Sequence, residues 1–306
     1  MELRRVAPVV GLCALLAADA VLIAWAFRGA PTDDPGPAAT APAVTSSSPS
    51  ASPTGATAAL KPVPVQRIVA AVGPTIAWVV QAGTCEKPGA VWVTDDEGGS
   101  WSRRDAPGRV LRARPSSATE AFVTGGDDGC DLRLWNTDDA ARTWNQPNGG
   151  AADAWSRVPD DAKAVHTPED EVSRPCGSSM RVLDLAALTA QQAQVLCENG
   201  DVRTTTDRGA TWPKSFTVKG ALAIGAVEGG GGVLLRTDSS CRGVVAVPVV
   251  GGKPAGDGEC VAGKASSGSV SVSGTGEAWW LVVGDAVHRA EGAAGPWDRT
   301  AAPLDG

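Results

Sequence analysis

The side chains in this sequence that can do chemistry are mostly carboxylates, with few of the partners that carboxylates usually need. There are 34 Asp and Glu, two His (His166 and His288), seven Cys and no Tyr. A phenolic nucleophile is therefore excluded. Two His leave too little material for a zinc cluster, so neither a metal nor a cofactor is expected. No G-x-S-x-G run occurs, and a Ser-His-Asp triad would have to recruit one of those two His. Glycoside hydrolysis needs two carboxylates about 5–9.5 Å apart, and the spacing of the acids singles out no such pair. Glu228-Gly229-Gly230-Gly231-Gly232 lacks the following Lys-Ser/Thr of a phosphate loop, so it reads as a hairpin turn. A net charge of −7 gives no basic footprint for nucleic acid. His288 falls in a strand-like run and reads as structural. Trp279 and Trp280 are adjacent in another such run, so they point to opposite faces and at least one is interior. The remaining candidates for binding are Trp155 and His166, which share one long connection with the acidic run Glu169-Asp170-Glu171.

The elements that must position these residues begin beyond residue 62. Residues 1–5 form a short tail with Arg4 and Arg5, and residues 6–27 are an apolar run interrupted by Asp19. Roughly 20 apolar residues in helix cross a hydrocarbon core of about 30 Å. The flanking Arg4 and Arg5 keep the N-terminus inside. The sequence thus predicts a single-pass transmembrane anchor in a plasma membrane, with the remainder extracytoplasmic. The alternative is a secretory signal peptide cleaved at Ala24-Trp25-Ala26. Residues 28–62 are mostly Pro, Ala, Ser, Thr and Gly with no aromatic residue and no apolar periodicity, the composition of a disordered spacer. Six of the seven Cys lie beyond it (Cys85, Cys130, Cys176, Cys197, Cys241 and Cys260), an even number that suggests three disulfides in an exported domain. The Arg-rich, Ala- and Gly-rich composition hints at a bacterial source.

A repeat organises residues 63–306. Thr94–Trp101 reads TDDEGGSW, Thr137–Trp144 reads TDDAARTW and Thr205–Trp212 reads TTDRGATW. The shared form is Ser/Thr-x-Asp-x-Gly-x-Thr/Ser-Trp, built from Thr94, Asp96, Gly98, Ser100 and Trp101, then Thr137, Asp139, Thr143 and Trp144, then Thr205, Asp207, Gly209, Thr211 and Trp212. Gly98 and Gly209 suit a turn with φ > 0. The Asp carboxylates suit acceptance of backbone N–H groups within the turn. Ala141 replaces the glycine of the second copy and predicts strain there. These residues read as structural rather than as calcium ligands. The repeat resembles the Asp-box, or BNR, repeat of sialidase-like β-propellers, a superfamily that includes photosystem assembly factors.

That resemblance implies an all-β propeller of four-stranded blades, each box following a third strand. Short Val-, Leu-, Trp- and Thr-rich runs between Gly and Asp turns agree. Residues 63–306, without the connection Gln146–Met180, leave about 42 residues for each of five blades, a normal repeat length. The connection is polar and broken by Pro, so it is expected to form no sheet of its own. In this register all six Cys fall at the end of the ring opposite the boxes, and the expected pairs are Cys85–Cys130, Cys176–Cys197 and Cys241–Cys260. The long connection is expected on that same end, which is the ligand face of sialidase-like propellers. Sialidase chemistry uses a Tyr nucleophile, which this chain lacks, and the boxes themselves are scaffold. The expected function is a membrane-anchored, non-catalytic binding or scaffolding module for a protein or glycan partner. The alternative is a surface glycoside hydrolase with an unidentified carboxylate pair.

Overall fold

The structure is a computed structural model that describes residues 66–147, 154–302 and 304. The predicted anchor, residues 6–27, and the linker, residues 28–62, lie outside the described residues. Among the described residues no helix is long and apolar enough to cross a membrane.

The chain forms consecutive antiparallel sheets. Sheet 1 holds β1 (Arg67–Ala71), β2 (Ala77–Gln81), β3 (Ala90–Thr94) and β4 (Ser102–Asp105). Sheet 2 holds β5 (Arg109–Pro115), β6 (Ala121–Gly126) and β7 (Leu132–Thr137). Sheet 3 holds β8 (Ser156–Arg157), β9 (Val165–His166) and β10 (Val172–Ser173). Sheet 4 holds β11 (Val182–Ala187), β12 (Ala193–Cys197), β13 (Asp201–Thr205) and β14 (Lys214–Thr217). Sheet 5 holds β15 (Ala221–Val227), β16 (Gly231–Arg236) and β17 (Gly243–Val250), with β18 (Lys253–Pro254) and β19 (Glu259–Ala262) both pairing with β17. Sheet 6 holds β20 (Val270–Gly274), β21 (Trp279–Val283), β22 (Ala286–Ala290) and β23 (Asp298–Arg299).

The ring therefore has six blades, not the five expected from sequence. The extra blade is sheet 3, which arises inside the connection expected to form no sheet. Its strands are two residues long, too short to leave a periodic signature. Among the described residues sheet 2 has three strands rather than the four expected, with Asn145 making an isolated bridge to Asn136 where the fourth strand would lie.

Burial explains the strand patterns. Second strands are covered on both faces by neighbouring sheets, so β12 and β21 are buried throughout, and β2 is buried up to Gln81. They read as continuous apolar runs rather than alternating ones. Outer strands face solvent and are polar, as in β4 (SRRD) and β14 (KSFT). Trp279 and Trp280 obey strand alternation: Trp279 packs between sheets 5 and 6, and Trp280 between sheets 6 and 1. The latter cluster joins Val69, Val79 and Trp92 to Trp280, Val282, Val287 and Leu304. Among the described residues it closes the ring by packing, with no strand exchanged between sheets 6 and 1. Apolar clusters likewise join sheets 1 and 2, 3 and 4, and 4 and 5. Among the described residues no such cluster joins sheets 2 and 3.

Candidate functional site

The three repeats close the same circuit of hydrogen bonds. In the first, Thr94 Oγ1 donates to Asp96 Oδ1 (2.8 Å) and accepts the Gly98 N–H (3.0 Å). Asp96 also accepts the Ser100 N–H (2.9 Å) and Ser100 Oγ (2.7 Å). Thr137, Asp139, Ala141 and Thr143 repeat it. So do Thr205, Asp207, Gly209 and Thr211. Donors from the Ser or Thr four residues on, backbone and hydroxyl together, hold all three carboxyls at about 2. Each turn carries two successive left-handed residues: Glu97 and Gly98, Ala140 and Ala141, Arg208 and Gly209. Ala141 adopts φ 62°, a conformation a Cβ disfavours. The box tryptophans pack as hairpin covers. Trp144 Nε1 donates to the Asp105 carbonyl (3.0 Å), and Trp212 Nε1 to Ser173 Oγ (2.9 Å), each on the preceding sheet.

The register separates two ends of the ring. Thr137 is level with Ala121 and Pro115 at the box end, whereas Leu132 is level with Gly126 and Arg109 near Cys130. The disulfides are Cys85–Cys130, Cys176–Cys197 and Cys241–Cys260. Cys85–Cys130 links the second-to-third-strand loops of sheets 1 and 2, away from the boxes.

Trp155 and His166 are not where the connection was expected to present them. Trp155 is 2% exposed and lies at the box end. Its Nε1 donates to the Thr189 carbonyl (2.9 Å), and its ring meets Trp212 edge-on at 5.7 Å. Trp78 and Trp280 make the equivalent bond to Ser117 and Gly73. Each of the three locks its sheet to the first hairpin of the next one in sequence around the ring. That role requires the register and is invisible to spacing, because sheet 3 has no recognisable first strand to count from. His166 is buried too, its ring nitrogens 3.0 Å from the Ala154 carbonyl and 2.8 Å from Asp170 Oδ1. Both side chains are thus built into sheet 3 and its turn. His288 is buried in β22, where burial and then Arg299 lower its pKa.

A cavity of about 510 Å³ runs along the centre, lined by the inner strands β1, β5, β11, β15 and β20, and by Arg157 of β8. A first strand has a free edge, and here neighbouring side chains satisfy it. Ser271 and Ser273 accept the Val69 and Ala71 N–H groups (3.1 Å each). Asp184 accepts the N–H of Ile224 (2.8 Å) and of Leu185 (2.9 Å). Asp184 also lies 3.7 Å from Arg157. Burial raises the Asp184 pKa and lowers that of Arg157, and their mutual attraction opposes both shifts. Across the seam between sheets 2 and 3, Arg109 donates to the Pro159 carbonyl (2.9 Å) and Arg112 to the Trp155 carbonyl (2.8 Å). Arginine therefore joins these two sheets where apolar packing joins the others. Sequence patterning missed these arginines because they lie on a strand whose other face is apolar core. Among the described residues, no group of three His, Cys, Asp or Glu side chains is placed to hold a metal ion.

No protein-family model and no curated protein matches the sequence. Solved structures do. Aleuria aurantia lectin, described as a six-bladed β-propeller with a novel fucose recognition mode, aligns at a TM-score of 0.51 and 10% identity. The match covers 77% of this chain and 95% of the lectin. A structure of YCF48 bound to D1 peptide aligns at a TM-score of 0.28 and 17% identity, covering 80% of this chain and 69% of that one. The GH74 enzyme of Niastella koreensis aligns at 0.42 and 10%, with 77% of this chain spanning 46% of the enzyme. At these identities the likeness is one of fold, a β-propeller.

Proposed function

We propose that the ring is a non-catalytic binding or scaffolding module for a protein or glycan partner, tethered outside a membrane by residues 6–27 through the linker 28–62. The Asp-box assignment of the three repeats belongs to the same reading and is supported by their shared turn circuit. The observation that carries the non-catalytic reading is the state of the channel carboxylates. Among the described residues, Asp184 and Glu228 are the carboxylates that line the cavity. Asp184 accepts two backbone N–H groups, one from its own sheet and one from the next, and lies beside Arg157, the contacts of a group that holds the inner strands together. A hydrolase would need a second carboxylate about 5–9.5 Å from the first and poised differently. In this reading the partner meets the disulfide end, where cross-links brace the loops of sheets 1, 2, 4 and 5. Bracing lowers the ordering cost of binding.

A glycan array combined with a panel of chromogenic glycosides tests this on the full chain. Binding without turnover is expected. Turnover abolished by a single Asp or Glu substitution would overturn the reading. Proximity labelling from the native cell surface then identifies the partner, and labelling confined to cytoplasmic proteins would refute the tethered orientation.

A further inference from the structure

Most ionic groups in the channel have a counterpart. Arg157 has Asp184 at 3.7 Å, and Arg67 has Asp285 at 2.7 Å. Arg112 and Arg114 differ. They are two residues apart on β5, so both side chains leave one face of the strand, about 7 Å apart along it. Both line the cavity of about 510 Å³, a volume suited to a small ligand. Arg112 gives one N–H to the Trp155 carbonyl. Among the described residues neither guanidinium forms an ion pair. Burial, and then the neighbouring charge of Arg114, bring Arg112 down to about 9. Two like charges thus stand side by side in a channel wall, with no carboxylate of the described residues within ion-pair distance of either. The register sets them at the box end, since Arg114 is opposite Phe122 and next to Pro115, which is level with Thr137 of the second box.

We infer that the box-side half of the channel binds a small oxyanion, a carboxylate or a phosphate, held between the guanidiniums of Arg112 and Arg114. The planar fork of each arginine matches either group in a two-bond geometry. The bond from Arg112 to Trp155 holds one fork in place before the ligand arrives, which reduces the cost of ordering it. Glu228 lines the cavity from sheet 5 and opposes binding of a second negative group. It favours a ligand with a single anionic head. This site opens at the end of the ring opposite the disulfides, so it stands independently of the partner face proposed above.

Titration calorimetry on the full chain in nonionic detergent, with sodium chloride fixed at about 0.15 M, tests it with two probes. Inorganic phosphate represents one source of the anion and butyrate, a monocarboxylate, the other. Saturable binding of at least one probe is expected, and the tighter of the two names the chemistry. Arg114→Gln should weaken that binding about tenfold or more, with Arg114→Lys falling between. Glu228→Gln should tighten it by removing a like charge, a change that a merely structural arginine pair would not produce. Lys253→Gln, on an exposed hairpin of sheet 5, should leave it unchanged. Arg114 is exposed, so its variant is expected to keep the parental melting temperature, which separates lost binding from lost fold. Absence of saturable binding for both probes up to about 10 mM, or equal affinity in Arg114→Gln, would overturn the inference.

Discussion

Glycine at the turn of the first and third boxes is decided by what lies against it as well as by its dihedral angle. Gly98 sits at φ 86° and a Cβ there would come within 2.7 Å of Thr300 on sheet 6. Gly209 sits at φ 92° with Thr167 at 2.8 Å and Trp155 at 3.2 Å on sheet 3. Gly98→Ala and Gly209→Ala should each destabilise by about 1–3 kcal/mol, from left-handed strain plus overpacking. In the second box Ala141 is buried at 2% in the cluster between sheets 1 and 2. Ala141→Gly would relieve about 1–2 kcal/mol of strain while losing a buried methyl worth about 0.8 kcal/mol. Urea midpoints should therefore show two damaging substitutions and one close to neutral. The box carboxyls also set the acid limit. Asp96, Asp139 and Asp207 have pKa values lowered from 3.8 to about 2 in the fold. A lowered carboxylate stabilises above its unfolded pKa and loses that contribution as pH falls through its folded one. The melting temperature should drop between about pH 4 and pH 2, and the slope should flatten when the three residues are changed to Asn.

Sheet 3 shows how an element can exist with little strand of its own. It is held to sheet 4 by Trp155, Val165 and Cys176 against Val182, Val195 and Cys197. On its other side it is held to sheet 2 by arginine donors to its backbone carbonyls. Asp184→Ala should therefore cost more than its position on a short inner strand suggests. It leaves Arg157 buried without a partner and two N–H groups unsatisfied, a loss of about 3–5 kcal/mol. Trp155→Phe keeps most of the packing and removes only the bond to Thr189, for a loss of about 1–3 kcal/mol through the unsatisfied carbonyl. Denaturant titrations of both variants check that order. A smaller loss in Asp184→Ala than in Trp155→Phe would mean that the Arg157 pair contributes little to holding sheet 3.

Across the whole ring, five seams are apolar and the seam between sheets 2 and 3 is polar, with Phe122 of β6 49% exposed on the sheet face shared with Arg114. Local opening follows the region with fewest buried apolar contacts. In hydrogen–deuterium exchange, the amides of β8 and β9 should exchange before those of β2, β12 and β21. Equal protection would show that the arginine bonds match an apolar interface. Cys85–Cys130 clamps sheets 1 and 2 across a 45-residue separation, next to the weak seam. Removing it should cost about 2–4 kcal/mol.

The sequence alone determined those features that depend on short-range chemistry. The boxes were readable because a tight turn needs its Thr, Asp and Gly at fixed offsets, and Thr94, Asp96 and Gly98 close the circuit within five residues. The first three strands of sheets 1, 2, 4, 5 and 6 were readable because each is a short run containing Val, Leu, Ala, Trp or Thr between Gly and Asp turn residues. The disulfide pairs followed once those strands had a register. The number of blades was decided only by the tertiary structure, because the strands of sheet 3 are too short to carry a period and exist through contacts with sheets 2 and 4. The places of Trp155 and His166 were hidden for the same reason. The charge arrangement of the channel was likewise unreadable. Arg112, Arg157 and Asp184 are separated by 45 and 27 residues along the chain, and only closure of the ring brings them to one wall.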